Sequence, residues 1–108
     1  MHSEQLSVEV LNDELHIANR LTSARLLGAD AQVETLRLVL ALAANDALPK
    51  EVSREVGRSA GRLAISLGRT DDVDANWLRA FASEAYEGYD VEVAIAKWSS
   101  DQTGAAAH

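Results

Sequence analysis

The chain has 108 residues, 47% of them hydrophobic and 25% charged, the composition of one globular domain rather than of a disordered segment. Its formal net charge is −7 and it has no cysteine, which excludes disulfides, thiolate metal sites and cysteine nucleophiles. The start, Met1 to Gln5, has neither a basic region nor an apolar run, and the longest apolar stretch, Leu38 to Ala44, is far short of the roughly 20 residues of a membrane span, so a cytoplasmic protein is expected.

The first element expected is a β-hairpin. Leu6, Val8 and Val10 alternate with Ser7 and Glu9, and after Asn12-Asp13 come Leu15 and Ile17 on either side of His16. With Asn12-Asp13 as a two-residue loop, Val10 pairs with Leu15, Val8 with Ile17 and Glu9 with His16. Val8, Val10, Leu15 and Ile17 then share the buried face, with Glu9 and His16 on the other. Next comes a short helix from about Arg20 to Leu27, stopped by Gly28 as a left-handed cap. Asp30 is placed to cap a helix reaching about Ala44, with Val33, Leu36, Leu40 and Ala43 at helical spacing. Leu38, Val39 and Leu42 make that helix apolar nearly all round, so it should be covered on more than one side, by the core or by a second copy of the chain.

Pro49 suits the first position of the next helix, which runs to about Leu67, buries Val52, Val56, Ala60, Leu63 and Leu67, and ends at Gly68. A last helix, about Asp74 to Glu87, is expected to bury Trp77, Phe81 and Ala85 and to end at Gly88. Beyond it, Val91, Val93 and Ile95 alternate with Glu92, Ala94 and Ala96, the pattern of a third strand joining the hairpin. The class that follows is α+β: the N-terminal hairpin plus a C-terminal strand forming a small antiparallel sheet, packed by three to four helices. Residues 1–98 make a single domain and 99–108 a flexible tail.

The charge is unevenly placed. Residues 50 to 69 hold Lys50, Arg54, Arg58, Arg62 and Arg69, half of the ten cations; with Glu51 and Glu55 the segment is +3, which leaves −10 for the rest. Cations four apart on a helix lie one above another, so Lys50, Arg54, Arg58 and Arg62 form a stripe. Such a stripe is either a solvated face, with Glu51 pairing to Arg54 and Glu55 to Arg58, or a docking ridge for an anionic partner. Gly57 and Gly61 interrupt the same helix at about 1 kcal/mol each relative to alanine, which calls for a reason. Close approach of another backbone supplies one: the Leu36–Leu40 helix, or a symmetry mate.

A DNA-reading helix-turn-helix competes for residues 50–67, with Gly57 as its turn glycine. It is opposed by Arg58 and Ser66 where apolar residues belong, and by a sequence pI near 4.8. Asp72, Asp74 and Asn76 imitate the start of a calcium loop, yet Trp77 stands where the sharp turn needs Gly and Ser83 where a bidentate Glu is needed. They read instead as a helix cap. His16 is the one histidine outside the terminal segments, and no Gly-rich phosphate loop or nucleophile elbow is present.

These features lead to an expected function: a non-catalytic protein-interaction module, accessory, regulatory or inhibitory, acting through Lys50, Arg54, Arg58, Arg62 and Arg69. It is expected to be a homodimer packed through Leu36, Leu40, Gly57 and Gly61, with a protein partner, no metal and no cofactor. Nucleic acid and membrane are not expected partners. The alternatives are a transcriptional regulator using residues 50–67 and, third, a small-molecule-binding domain.

Overall fold

The computed structural model describes residues 2–89 together with Val93, Ile95 and Ala96, and every regular element among them is helical. The expected α+β class is therefore corrected to all-helical: no strand occurs among the described residues. Residues 6–17 fold as α1 (His2–Leu11), a turn, and the start of α2 (Ile17–Leu27). The residues α1 buries are Ser3, Ser7 and Val10, at spacings of four and three, whereas Val8 is 60% exposed. The alternation of Leu6, Val8 and Val10 was coincidental. What points inward is a helical stripe containing two small serines, which lets a neighbouring helix come close.

Asn12-Asp13 does mark a turn, but it joins helices. Asn12 Oδ1 accepts from the Glu14 N–H at 3.0 Å. His16, expected to pair with Glu9 across the hairpin, instead caps α2, its Nδ1 accepting from the Ala18 N–H at 3.2 Å. Glu9 accepts from the Ser23 hydroxyl at 2.8 Å. The buried Arg20 donates from Nε to the Val10 carbonyl at 2.9 Å, satisfying one of the orphan carbonyls at the end of α1. These pairings, Val10 with Arg20 and Glu9 with Ser23, make α1 and α2 antiparallel.

Helix α3 (Val33–Ala43) buries Thr35, Leu36, Val39, Leu42 and Ala43. Asp30 does not cap it through the backbone; it accepts from the Thr35 hydroxyl at 2.7 Å, while Gln32 occupies the cap position. Helix α4 (Lys50–Leu67) is central: α2 and α3 both pack on it, and α1 packs on α2 and α3. Pro49 immediately precedes the first residue of α4, and Gly68 ends it in the left-handed conformation at φ 66°. The core joins Val10, Leu27, Leu36, Val39, Leu42, Val52, Val56 and Leu63.

The final helix also starts later than expected. Thr70–Asp72 and Ala75–Trp77 form two 3-10 turns, and α5 occupies residues 80–89. Gly88 lies inside α5 rather than at its end, Trp77 is 78% exposed, and Ala82 takes the buried place. Arg79 fixes the start of α5. Its backbone N–H donates to Ala43 O at 2.9 Å, and its guanidinium donates to the Leu48 carbonyl and, at 3.2 Å, to the Ser53 hydroxyl. Of the third strand, Val93 and Ile95 are helical, and Val91, Glu92 and Ala94 lie outside the described residues, as does the tail 99–108.

Candidate functional site

Helix α4 divides its surface sharply. Val52, Val56, Ala60, Leu63 and Ala64 face the core, while Lys50, Arg54, Arg58 and Arg62 are all exposed. The stripe expected from the four-residue spacing is therefore a continuous ridge on the solvent side. Arg69 stands apart from it. It follows the Gly68 cap and pairs with Asp72 at 3.2 Å, within the return loop.

The glycines of α4 are explained by α5. A Cβ on Gly57 would lie 2.1 Å from the Ala82 carbonyl oxygen, and one on Gly61 would lie 3.0 Å from the Tyr89 ring and 3.2 Å from the Tyr86 carbonyl oxygen. The backbone that approaches them is thus α5, not the Leu36–Leu40 helix. Arg79 beside Ser53, Ala82 on Gly57 and Tyr86 with Tyr89 on Gly61 place α5 parallel to α4.

This seating brings two rings beneath the ridge. Lys50 Nζ lies 5.2 Å and Arg54 Cζ 5.6 Å from the Phe81 ring centre, with Arg79 on the same ring at 5.2 Å. Arg58 lies 5.5 Å from the centre of the Tyr89 ring. Such contacts favour the cation electrostatically and restrain a long side chain. Sequence reasoning assigned Phe81 to the core and missed both rings as companions of the cations. A signal was available: two aromatics eight residues apart on a helix span about 12 Å, the same rise as Lys50 to Arg58.

On the opposite flank α2 contributes a fourth arginine position. Arg25 pairs with Glu55 at 3.1 Å, a contact between helices in place of the pairing along α4 foreseen for Glu55. Gly28 is not a left-handed cap, since its φ is −65°; it is small because Ser59 sits against it, 2.8 Å from where a Cβ would be. Ser59 in turn donates to Ala24 O at 2.6 Å, so α2 lies tightly on α4. Between them opens a cleft of about 290 Å³ lined by Arg25, Glu55, Arg58, Ser59, Arg62 and Tyr89.

Two other expectations meet the geometry here. Helix α4 runs unbroken through Gly57, so the turn a helix-turn-helix requires at that residue is not formed. In the acidic segment, Asp74 Oδ1 accepts from the Asn76 N–H at 3.0 Å and Asp72 holds Arg69. Among the described residues no group of three or more His, Asp or Glu side chains is arranged to hold a metal. No helix of the described residues is long and apolar enough to cross a membrane. Leu36 is buried in the core, and Leu40 is half-buried at the edge of a second cleft, about 350 Å³, with Ala44, Val73, Trp77, Leu78, Asp72 and Asp74.

Known protein families, curated proteins and solved structures offer no match to this chain.

Proposed function

We propose that this protein is a non-catalytic interaction module, accessory, regulatory or inhibitory, that docks an acidic partner protein along the α4 ridge. The observation that carries the proposal is the alignment of Lys50, Arg54 and Arg58 with the Phe81 and Tyr89 rings. Arginine and aromatic side chains together are the composition of interface hot spots. A cation already leaning on a ring loses less rotamer freedom when a partner arrives. A body carrying −10 outside residues 50–69 opposes approach to a polyanion backbone, which favours a protein over DNA. A cytoplasmic setting belongs to the same proposal, since a chain without cysteine is built without disulfides.

Affinity capture from the native host, with mass spectrometry, tests this reading. The partner retained should be acidic at the contact surface, and its dissociation constant should rise with ionic strength. Wild-type protein should show no measurable affinity for duplex DNA at physiological salt. Tight, sequence-selective DNA binding would overturn the proposal.

Self-association is its second part, proposed on a different surface from the one expected. The apolar face of α3 is largely covered within one chain, by burial of Leu36, Val39, Leu42 and Ala43. Of the large apolar side chains exposed among the described residues, Trp77 is the most so, at the rim of the cleft that Leu40, Val73 and Leu78 line. We place a symmetric homodimer contact there, because a tryptophan left in water forgoes its burial energy. Sedimentation should show dimers at protein concentrations on the order of tens of micromolar, shifting to monomer in Trp77→Ala. A wild-type monomer at that concentration removes the dimer from the proposal.

A further inference from the structure

We infer that Arg79 is a recognition residue of the docking ridge, and that its open guanidinium edge takes a carboxylate side chain of the acidic partner beside Phe81. This rests on the proposed ridge function and fixes where on the ridge one acidic side chain is held. Of the five cations expected to bind, Arg69 is turned to Asp72 in the return loop. Arg79, which was not among the five, joins Lys50 and Arg54 around a single ring instead. Arg79 and Lys50 each lie 5.2 Å from the Phe81 ring centre, and Arg54 lies 5.6 Å from it. Any two of these three charges are therefore no more than about 11 Å apart, and an anion placed among them is attracted by all three.

The chemistry of Arg79 is set by which of its nitrogens are already used. Nη1 makes both of its side-chain hydrogen bonds, to the Leu48 carbonyl and to the Ser53 hydroxyl. Among the described residues Nε and Nη2 have no partner. Ser3 Oγ is the one buried side-chain nitrogen or oxygen there that lacks one, so the Nε–Nη2 edge is open to solvent. Two N–H groups on one planar edge match the two oxygens of a carboxylate, a paired geometry that lysine cannot reproduce. The bonds from Nη1 keep the guanidinium in place, so little rotamer freedom is left to lose on binding. Among the described residues, none of Lys50, Arg54 and Arg79 is paired with a carboxylate, so the partner's acidic side chain displaces no ion pair. Lys50 and Arg54 are exposed and flank the same ring, which gives neighbouring acidic residues of that partner a place on the ridge.

The experiment uses the full chain and a fluorescent Glu-rich peptide, with a Gln-rich peptide of equal length as the control. In NMR titration of the wild type, the Nε–H signal of Arg79, assigned by its loss in Arg79→Lys, should shift as the Glu-rich peptide is added. The backbone signals of Lys50 and Arg54 should shift with it, and the Gln-rich peptide should move none of them. By anisotropy, Arg79→Lys should bind the Glu-rich peptide about tenfold more weakly, the loss expected of a hydrogen bond to a charged group. Ser53→Ala removes one bond to Nη1 but leaves the Leu48 carbonyl and the open edge in place. It should lower the denaturation midpoint and leave the affinity nearly unchanged. Shifts at Lys50 and Arg54 without movement of Arg79 overturn the assignment of Arg79 and leave the ridge standing. Affinity losses in Arg79→Lys and Ser53→Ala that follow their losses of stability make Arg79 a structural residue only, and overturn it too. Failure of the Glu-rich peptide to bind overturns the ridge and the role of Arg79 together. Inorganic phosphate that moves the Arg79 signal as far as the peptide does, at the same concentration, replaces the carboxylate by a phosphate, against this inference.

Discussion

Replacing Gly57 by alanine should destabilise the protein by about 3 kcal/mol, although the same change in an ordinary helix interior gains roughly 1 kcal/mol. The reason is local and steric. The new Cβ would stand 2.1 Å from the Ala82 carbonyl oxygen and 2.7 Å from Ala82 Cα. Both are backbone atoms, so no side chain can rotate out of the way, and α5 as a whole must retreat. Phe81 and Tyr89 would leave the ridge with it. Gly61→Ala should cost less, because the new Cβ would stand 3.0 Å from the Tyr89 ring, 3.1 Å from Tyr89 Cβ and 3.2 Å from the Tyr86 carbonyl oxygen, so α5 need give only a few tenths of an ångström. Gly88→Ala supplies the reference: it lies in α5 with nothing within 4 Å of the added Cβ, and should stabilise by up to about 1 kcal/mol. Urea denaturation followed by circular dichroism measures all three. Equal stability of Gly57→Ala and Gly88→Ala would mean that α5 is not seated on Gly57.

Lys50→Glu combined with Arg54→Glu should abolish capture of the partner while the fold survives. Two charge reversals change the ridge by −4, turning the N-terminal half of the stripe from attractive to repulsive for an acidic surface. The structural cost is small. Both side chains are exposed, and each loses a ring contact of about 0.5–1 kcal/mol at an exposed site. A glutamate at position 50 recovers part of that by sitting in the first turn of α4, where the helix dipole favours an anion. Denaturation midpoints close to wild type, with capture lost, are the expected pair of results. Capture that persists in the double variant, with the fold intact, assigns the stripe to a solvated face.

How much of this was legible beforehand differs from element to element. Around α4 the chain announces itself: Pro49 at the start, Val52, Val56, Ala60 and Leu63 at helical spacing, cations on the opposite face and Gly68 in the left-handed cap. There the local signals agree with one another except at Gly57 and Gly61, whose cost in a helix the packing of α5 accounts for. At residues 6–17 they conflict. Leu6, Val8 and Val10 have the period of a strand, and only the docking of α1 on α2 and α3 shows that Ser3, Ser7 and Val10 are the residues that go inside. A serine buried because it is small leaves no apolar mark in the sequence.

The candidate site divides in the same way. Lys50, Arg54, Arg58 and Arg62 could be aligned from their spacing alone, since helix geometry converts a four-residue interval into a stripe. That Gly57 and Gly61 exist for a close backbone could also be argued from their cost in a helix. Which backbone comes close could not, because α5 reaches them only after the return loop and Arg79 carry the chain back to the start of α4. Phe81 under the cations, Arg25 across the cleft and Trp77 in the open are likewise products of that return. Periodicity along one helix is a local property that the sequence states by itself; the meeting of two helices depends on the packing of all the others, and only the tertiary structure decides it.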